Sequence, residues 1–134
     1  MPIFGRRSLK VLSELSPDLQ TVAKEAIKIV DFSLICGERG QLEQDAAFHS
    51  GKSKLKYPDS KHNKKPSDAF DFLPYPRSKK SADFIYIGGI IIGVARTLQA
   101  QGIIKSSLRY GGDWNNNDRT SDERFLDAGH IERK

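Results

Sequence analysis

Between Ile85 and Ala95 the chain reads IYIGGIIIGVA, with no charged residue. A stretch this apolar has to leave water. It falls well short of the ~20 residues that cross a bilayer, so it predicts a packed core rather than a membrane span. With its flanks it predicts one long, mostly buried helix over Ser81 to Gln101, softened by Gly88, Gly89 and Gly93 and closed by Gly102. A chain of 134 residues supplies one such core, the size of one domain. Residues 1–134 are therefore read as a single domain. The basic N-terminus MPIFGRRSLKVLSEL lacks the apolar core and cleavage site of a secretory signal. The expected product is cytoplasmic, reaching any outside target only after release.

The remaining elements arrange themselves around that helix. Ser16-Pro17 reads as a cap and first helical position. Leu19, Val22, Ala23, Ala26, Ile27 and Val30 follow at helical spacing, predicting a helix over 16–30. Asp31–Cys36 predicts a short strand broken by Gly37, and residues 39–50 a polar helix. Residues 51–67 carry Lys, Ser, Pro and Asn without an apolar period and predict a loop. In DAFDFL, residues 68–73, Phe70 and Phe72 would face the core, with Ala69 and Asp71 on the other side. Leu108–Trp114 and Phe125–Glu132 predict two further strands, joined by a polar loop. The order implies an α+β domain with helices packed on a small antiparallel sheet.

The single cysteine, Cys36, excludes a disulfide framework and a cysteine-rich zinc site. With three histidines, a metal site would have to be built from His and Asp/Glu. The chain can supply one: His62, Asp71 and His130 as ligands, with Asp127 as the carboxylate that moves a proton. Ala69, on the same face as Asp71, leaves room for an ion. Other readings stand beside this one. His62 also reads as a solvated loop histidine, and Asp71 could be partnered by an arginine or a backbone cap. His49 reads as an exposed residue of the polar helix and Cys36 as a small buried one. Trp114 with Tyr110 reads as core sealing ahead of sugar stacking.

The motifs Ser60-Lys61-His62, Asp68-Ala69-Phe70-Asp71-Phe72 and Asp127-Ala128-Gly129-His130 resemble the LAS group of zinc peptidases. That group includes the VanY- and VanX-like D-Ala-D-Ala peptidases and the phage endolysins that are L-alanyl-D-glutamate peptidases. Leu15–Val30 resembles its opening helix, Gly37-Glu38-Arg39 with Gln44 its G-x-R…Q segment, and Arg109–Asn115 a strand of the phage members. The resemblance implies the LAS/hedgehog-like fold and one zinc ion held by His62, Asp71 and His130. It implies Asp127 as general base and acid, and Arg39 as the substrate-facing cation holding a carboxylate or developing oxyanion. Gln44 would line the cleft or cap a helix. The chain departs from the usual seven-residue offset between His and Asp: here it is nine, with Pro66-Ser67 in place of the family's glycine. Asp68 is the rival to Asp71. An Asp at position 127, rather than Glu, fits the endolysin branch.

The expected function is hydrolysis of the L-alanyl-D-glutamate bond in the peptidoglycan stem peptide by a monomeric, endolysin-like enzyme. The alternative inside the class is a D-Ala-D-Ala carboxypeptidase or dipeptidase. A different class, a small basic nucleic-acid-binding protein, draws on the net charge of +5. It finds no recognised binding motif and leaves the His/Asp set unused. On the peptidase reading the charge, concentrated in Lys52, Lys54, Lys56, Lys61, Lys64 and Lys65, attracts an anionic wall or envelope.

Overall fold

Phe70 and Phe72 point into the core from the strand Ala69–Pro74, and Asp71 between them points the other way, as strand alternation requires. A computed structural model, describing residues 1–134, builds the protein around this strand. Four strands, β1 Phe32–Cys36, β2 Ala69–Pro74, β3 Leu108–Tyr110 and β4 His130–Arg133, form one antiparallel sheet in the order β1-β2-β4-β3. Four helices accompany it: α1 Arg6–Ser13, α2 Pro17–Ala26, α3 Gln41–His49 and α4 Ser81–Ala100. The expected α+β architecture is the observed one.

One sheet face carries the core. Leu15, Leu19, Val22, Ala23 and Ala26 meet Phe32, Phe70, Phe72, Ile131, Ile87 and Ile91 in a single cluster. Burying each large apolar side chain contributes roughly 1.5–3 kcal/mol. Gly88 lets α4 approach β3: a Cβ there would sit 2.4 Å from the Tyr110 ring. The opposite face, carrying Ala69, Asp71, His130, Glu132 and Arg109, is left for a cleft.

Several expected boundaries move. α4 starts at Ser81 as expected and ends at Ala100, with Gly102 at φ +75° just beyond. It is not mostly buried. Its 20 residues contain an 18-residue window of mean hydropathy 1.4, which matches a membrane-crossing helix in length and apolarity. In this fold Ile87, Gly88, Ile91, Ala95 and Leu98 form one packed stripe, while Tyr86, Gly89 and Gly93 face outward. The helix predicted over 16–30 stops at Ala26. α1 lies outside every predicted element. It is largely polar, and it docks on the free edge of β1, where Ser8 Oγ accepts the Leu34 N–H at 3.0 Å.

The strand expected over Leu108–Trp114 ends at Tyr110, because Gly111 and Gly112 turn the chain and Asp113 bonds back to Tyr110. The last strand begins only at His130 rather than Phe125. Ahead of it the chain crosses Gly111, whose carbonyl accepts the Asp127 N–H at 2.9 Å. It then turns through the His130 N–H to Asp127 carbonyl bond at 3.1 Å.

Candidate metal centre

The sheet register assembles the site. Asp71 on β2 lies opposite His130 on β4, and Ala69 opposite Glu132, which in turn faces Arg109 on β3. Alternation places His130 and Glu132 on the cleft side and Ile131 in the core. His62 comes from outside the sheet, on the 3₁₀ turn Lys61–Asn63. Ser60 Oγ caps that turn by accepting the His62 N–H at 3.2 Å, and Asn63 Oδ1 accepts the Ser60 N–H at 3.0 Å. The longer His–Asp connection is tied down rather than loose. Ser67 accepts from Ser16 and donates its amide to Glu14, and its hydroxyl donates to the Gly37 carbonyl at 2.9 Å.

His62 Nε2 and His130 Nδ1 each lie 3.2 Å from the same oxygen, Asp71 Oδ1. The other nitrogen of each ring faces a group that can only accept. His62 Nδ1 donates to the Gly37 carbonyl at 2.7 Å, and His130 Nε2 to Glu132 Oε1 at 2.9 Å. With those protons committed, two imidazole lone pairs and a carboxylate converge on one point. Such a set is repulsive unless a cation sits among it. Without a metal, protons must serve. Burial pushes the pKa of His62 down, but hydrogen bonding to Asp71 and Cys36 outweighs it and raises it to about 10. His130 is raised to about 9, burial being outweighed by hydrogen bonds to Asp71 and Glu132. Asp71 is held far below the usual range, the two imidazoles overcoming its desolvation. A borderline-soft divalent cation fits this N, N, O donor set.

The donor atoms of Cys36, His62 and Asp71 lie within 4.8 Å of one another, as do those of Asp71, Asp127 and His130. Asp71 is common to both groups. Cys36 is therefore not the core residue expected: half-buried, its Sγ stands 3.7 Å from His62 Nδ1 and 3.7 Å from Arg39 Nη2. Asp68, the rival, pairs with Arg133 at 2.8 Å. His49 is exposed, bonding only the carbonyl one turn back.

Two carboxylates flank His130 and their surroundings separate them. Glu132 is buried, but hydrogen bonds from His130 and from Arg109, at 2.7 Å, lower its pKa. Asp127 has no such clamp. Its Oδ2 lies 3.9 Å from His130 Nδ1, and burial, with Asp71 nearby, raises its pKa despite the attraction of His130. Asp127 is thus the group suited to exchange a proton. Its place depends on Gly111, where a Cβ would stand 2.2 Å from the Asp127 carbonyl oxygen.

Arg39 Nη2 stands 3.4 Å from Asp71 Oδ2. Its Nη1 donates to Gln44 Oε1 at 3.0 Å. Gln44 is fully buried and also donates to the Leu55 carbonyl at 2.7 Å and to Ser53 Oγ at 3.0 Å. It neither lines the cleft nor caps a helix; it aims Arg39. Trp114 also departs from expectation. Instead of sealing the core it forms a cleft wall, stacked on Phe125 at 6.2 Å and lying 5.4 Å from the His130 ring. Tyr110 does sit in the core. The cleft measures about 400 Å³ and collects Arg39, His62, Asp71, Asp127, His130 and Glu132, with Lys52, Lys54 and Lys61 on its rim.

Fold and site define a small α+β enzyme whose His/Asp donor centre opens into a cationic cleft. The chain belongs to the phage L-alanyl-D-glutamate peptidase family, whose model matches residues 2–133. It is similar to the L-alanyl-D-glutamate peptidase of Escherichia phage T5, at 33% identity over 134 residues, 96% of each chain. Its fold is also that of the Serratia marcescens L-Ala D-Glu endopeptidase ChiX, with a TM-score of 0.73 at 22% identity over 98% of this chain and 90% of that one. The chain is a peptidase.

Proposed function

We propose that residues 1–134 form one catalytic module that hydrolyses the L-alanyl-D-glutamate bond of the peptidoglycan stem peptide with one zinc ion. The observation that carries this reading is the convergence of His62 Nε2 and His130 Nδ1 on Asp71 Oδ1 in an open cleft. These three side chains would hold the ion. When bound, zinc brings the pKa of a water towards 7 and polarises a carbonyl oxygen.

The chain's own residues supply the rest. Asp127 Oδ2 accepts the proton of the attacking water and passes it to the leaving amine of D-glutamate; its raised pKa suits both halves of the transfer. Arg39, fixed by Gln44 and Asp71, presents a rigid cation for a substrate carboxylate or for the oxyanion as it develops. Trp114 and Phe125 shield one side of the reaction from water. Lys52, Lys54 and Lys61 favour an anionic wall peptide approaching the cleft. The named activities of the phage T5 peptidase and of ChiX support the choice of bond. The place of action is the cell wall, reached after release from the producing cell.

The test is digestion of purified peptidoglycan. Clearing that a chelator abolishes and zinc restores is expected, with mass spectrometry showing stems that begin at D-glutamate. Release of terminal D-alanine would replace this bond with the D-Ala-D-Ala reading. Activity indifferent to chelator would remove the metal.

A further inference from the structure

The two histidines of the centre are oriented by different kinds of partner. His62 Nδ1 donates to a neutral acceptor, the Gly37 carbonyl, at 2.7 Å. His130 Nε2 donates to a carboxylate, Glu132 Oε1, at 2.9 Å. The other Glu132 oxygen is gripped by Arg109 through Nη2 at 2.7 Å and Nε at 3.3 Å. Glu132 is 6% exposed, and all the hydrogen bonds of its carboxylate run to these two residues. The array is laid out by the sheet: Arg109 and Glu132 are cross-strand partners on β3 and β4, and His130 and Glu132 share a face two residues apart. Arg109 is itself steadied against the Trp114 ring, 5.6 Å away, and Trp114 leans over His130.

We infer that Glu132, clamped by Arg109, is the positioning residue of the centre: by accepting the Nε2 proton of His130 it commits Nδ1 of that ring to the metal. The inference rests on the metal reading above. Physically, the carboxylate fixes which nitrogen carries the proton, locks the ring plane, and lends the imidazole electron density that a neutral carbonyl does not. It makes His130 the more basic of the two nitrogen ligands. Glu132 does not itself move a proton. Both its oxygens are occupied, and the proton-exchanging role belongs to Asp127.

The experiment uses zinc-loaded protein and two readouts other than turnover. Long-range ¹H–¹⁵N spectra should show His130 bound through Nδ1, with its Nε2 proton further downfield than the Nδ1 proton of His62. Chelator competition should show Glu132→Ala binding zinc roughly 10–100-fold more weakly. Glu132→Gln, which keeps an acceptor but loses the charge, should fall between, with its Nε2 proton shifted upfield. If Glu132→Ala does not fold, the Gln variant decides alone, since a merely structural role would leave that proton where it is. Wild-type affinity together with an unmoved proton in the Gln variant overturns the inference while leaving the metal reading intact. So does ligation through His130 Nε2. A wild-type protein that takes up no zinc overturns both.

Discussion

Asp71 and His130 stand opposite one another on the two central strands of the sheet, Asp71 Oδ1 lying 3.2 Å from His130 Nδ1. Their meeting is a property of register. A one-residue slip of either strand would turn its own site residue, Asp71 or His130, towards the core and bring Phe70 and Phe72, or Ile131, to the surface. The burial that stabilises the fold therefore also holds two of the three converging side chains in place, and only His62 needs a separate anchor.

Asp71→Asn tests that arrangement. It removes the charge on which both imidazoles converge while keeping the size of the side chain. Zinc affinity should fall by at least about 100-fold, as expected when a ligand rather than an outer partner is lost. Chelator competition reads the affinity, and circular dichroism should show the fold retained.

Asp127→Ala separates chemistry from binding. It should lower kcat by roughly 10²–10⁴-fold, the range of general acid–base catalysis, yet leave about one zinc per chain. Loss of the metal would make Asp127 a ligand and overturn its assignment. In the wild type the base works ionised, so activity should rise with pH as Asp127 deprotonates. Because burial raises its pKa, that acid limb should lie above the usual carboxylate value of 3.8.

Much of this was legible in the residues. The alternation of Ala69–Phe70–Asp71–Phe72 predicted both a strand and its two faces, and the His/Asp motifs pointed to the cleft. What escaped was decided by contacts distant in sequence. α1 is mostly polar, and its short apolar side, Val11 and Leu12, spans too few residues to announce a helix; its place comes from Leu12 entering the core and Ser8 meeting the edge of β1. Gln44 bonds Arg39 and the residue 53–55 segment, which no local pattern encodes. Glu132 did carry a signal, since a carboxylate two residues after a strand histidine shares its face. A strand expected as far as Trp114 hid the turn at Gly111, and one expected from Phe125 hid the turn from Asp127 to His130.

Gly111→Ala should expose that turn. A methyl group would press on the Asp127 carbonyl and Cβ, at 2.2 and 3.0 Å, and on His130 Cβ at 2.9 Å. Backbone there has to move, costing about 1–3 kcal/mol and displacing the base. Thermal unfolding should show a lower Tm. Peptidoglycan digestion should fall by more than the loss of folded protein accounts for, and zinc should bind more weakly because His130 is pressed as well.

Gln44→Ala should weaken catalysis without touching the cleft. It strips the acceptor from Arg39 Nη1 and removes the donor to the Leu55 carbonyl. Leaving buried polar groups unpaired costs roughly 1–3 kcal/mol of stability. The freed guanidinium should raise KM or lower kcat while zinc affinity stays at the wild-type value. Unchanged kinetics would mean that Arg39 needs no such support.

On the proposed reading, protons and zinc compete for the same convergence, which sets how stability follows pH. In metal-free protein, His62 and His130 have folded pKa values of about 10 and about 9, above the ordinary 6.5. Their contribution is complete below pH 6.5 and is lost as pH climbs through 9 and 10. Asp71 is shifted the other way, so its contribution is present above the usual 3.8 and is lost as pH falls through and below that value. Metal-free protein should therefore be most stable between about pH 4 and 6.5 and weaken steadily towards pH 10. Zinc replaces the imidazole protons, so its affinity should rise over the same alkaline interval and its presence should flatten the decline. Denaturant titrations from pH 5 to 10, with and without zinc, measure both curves. Parallel curves would show that the ion does not bind where His62, Asp71 and His130 converge.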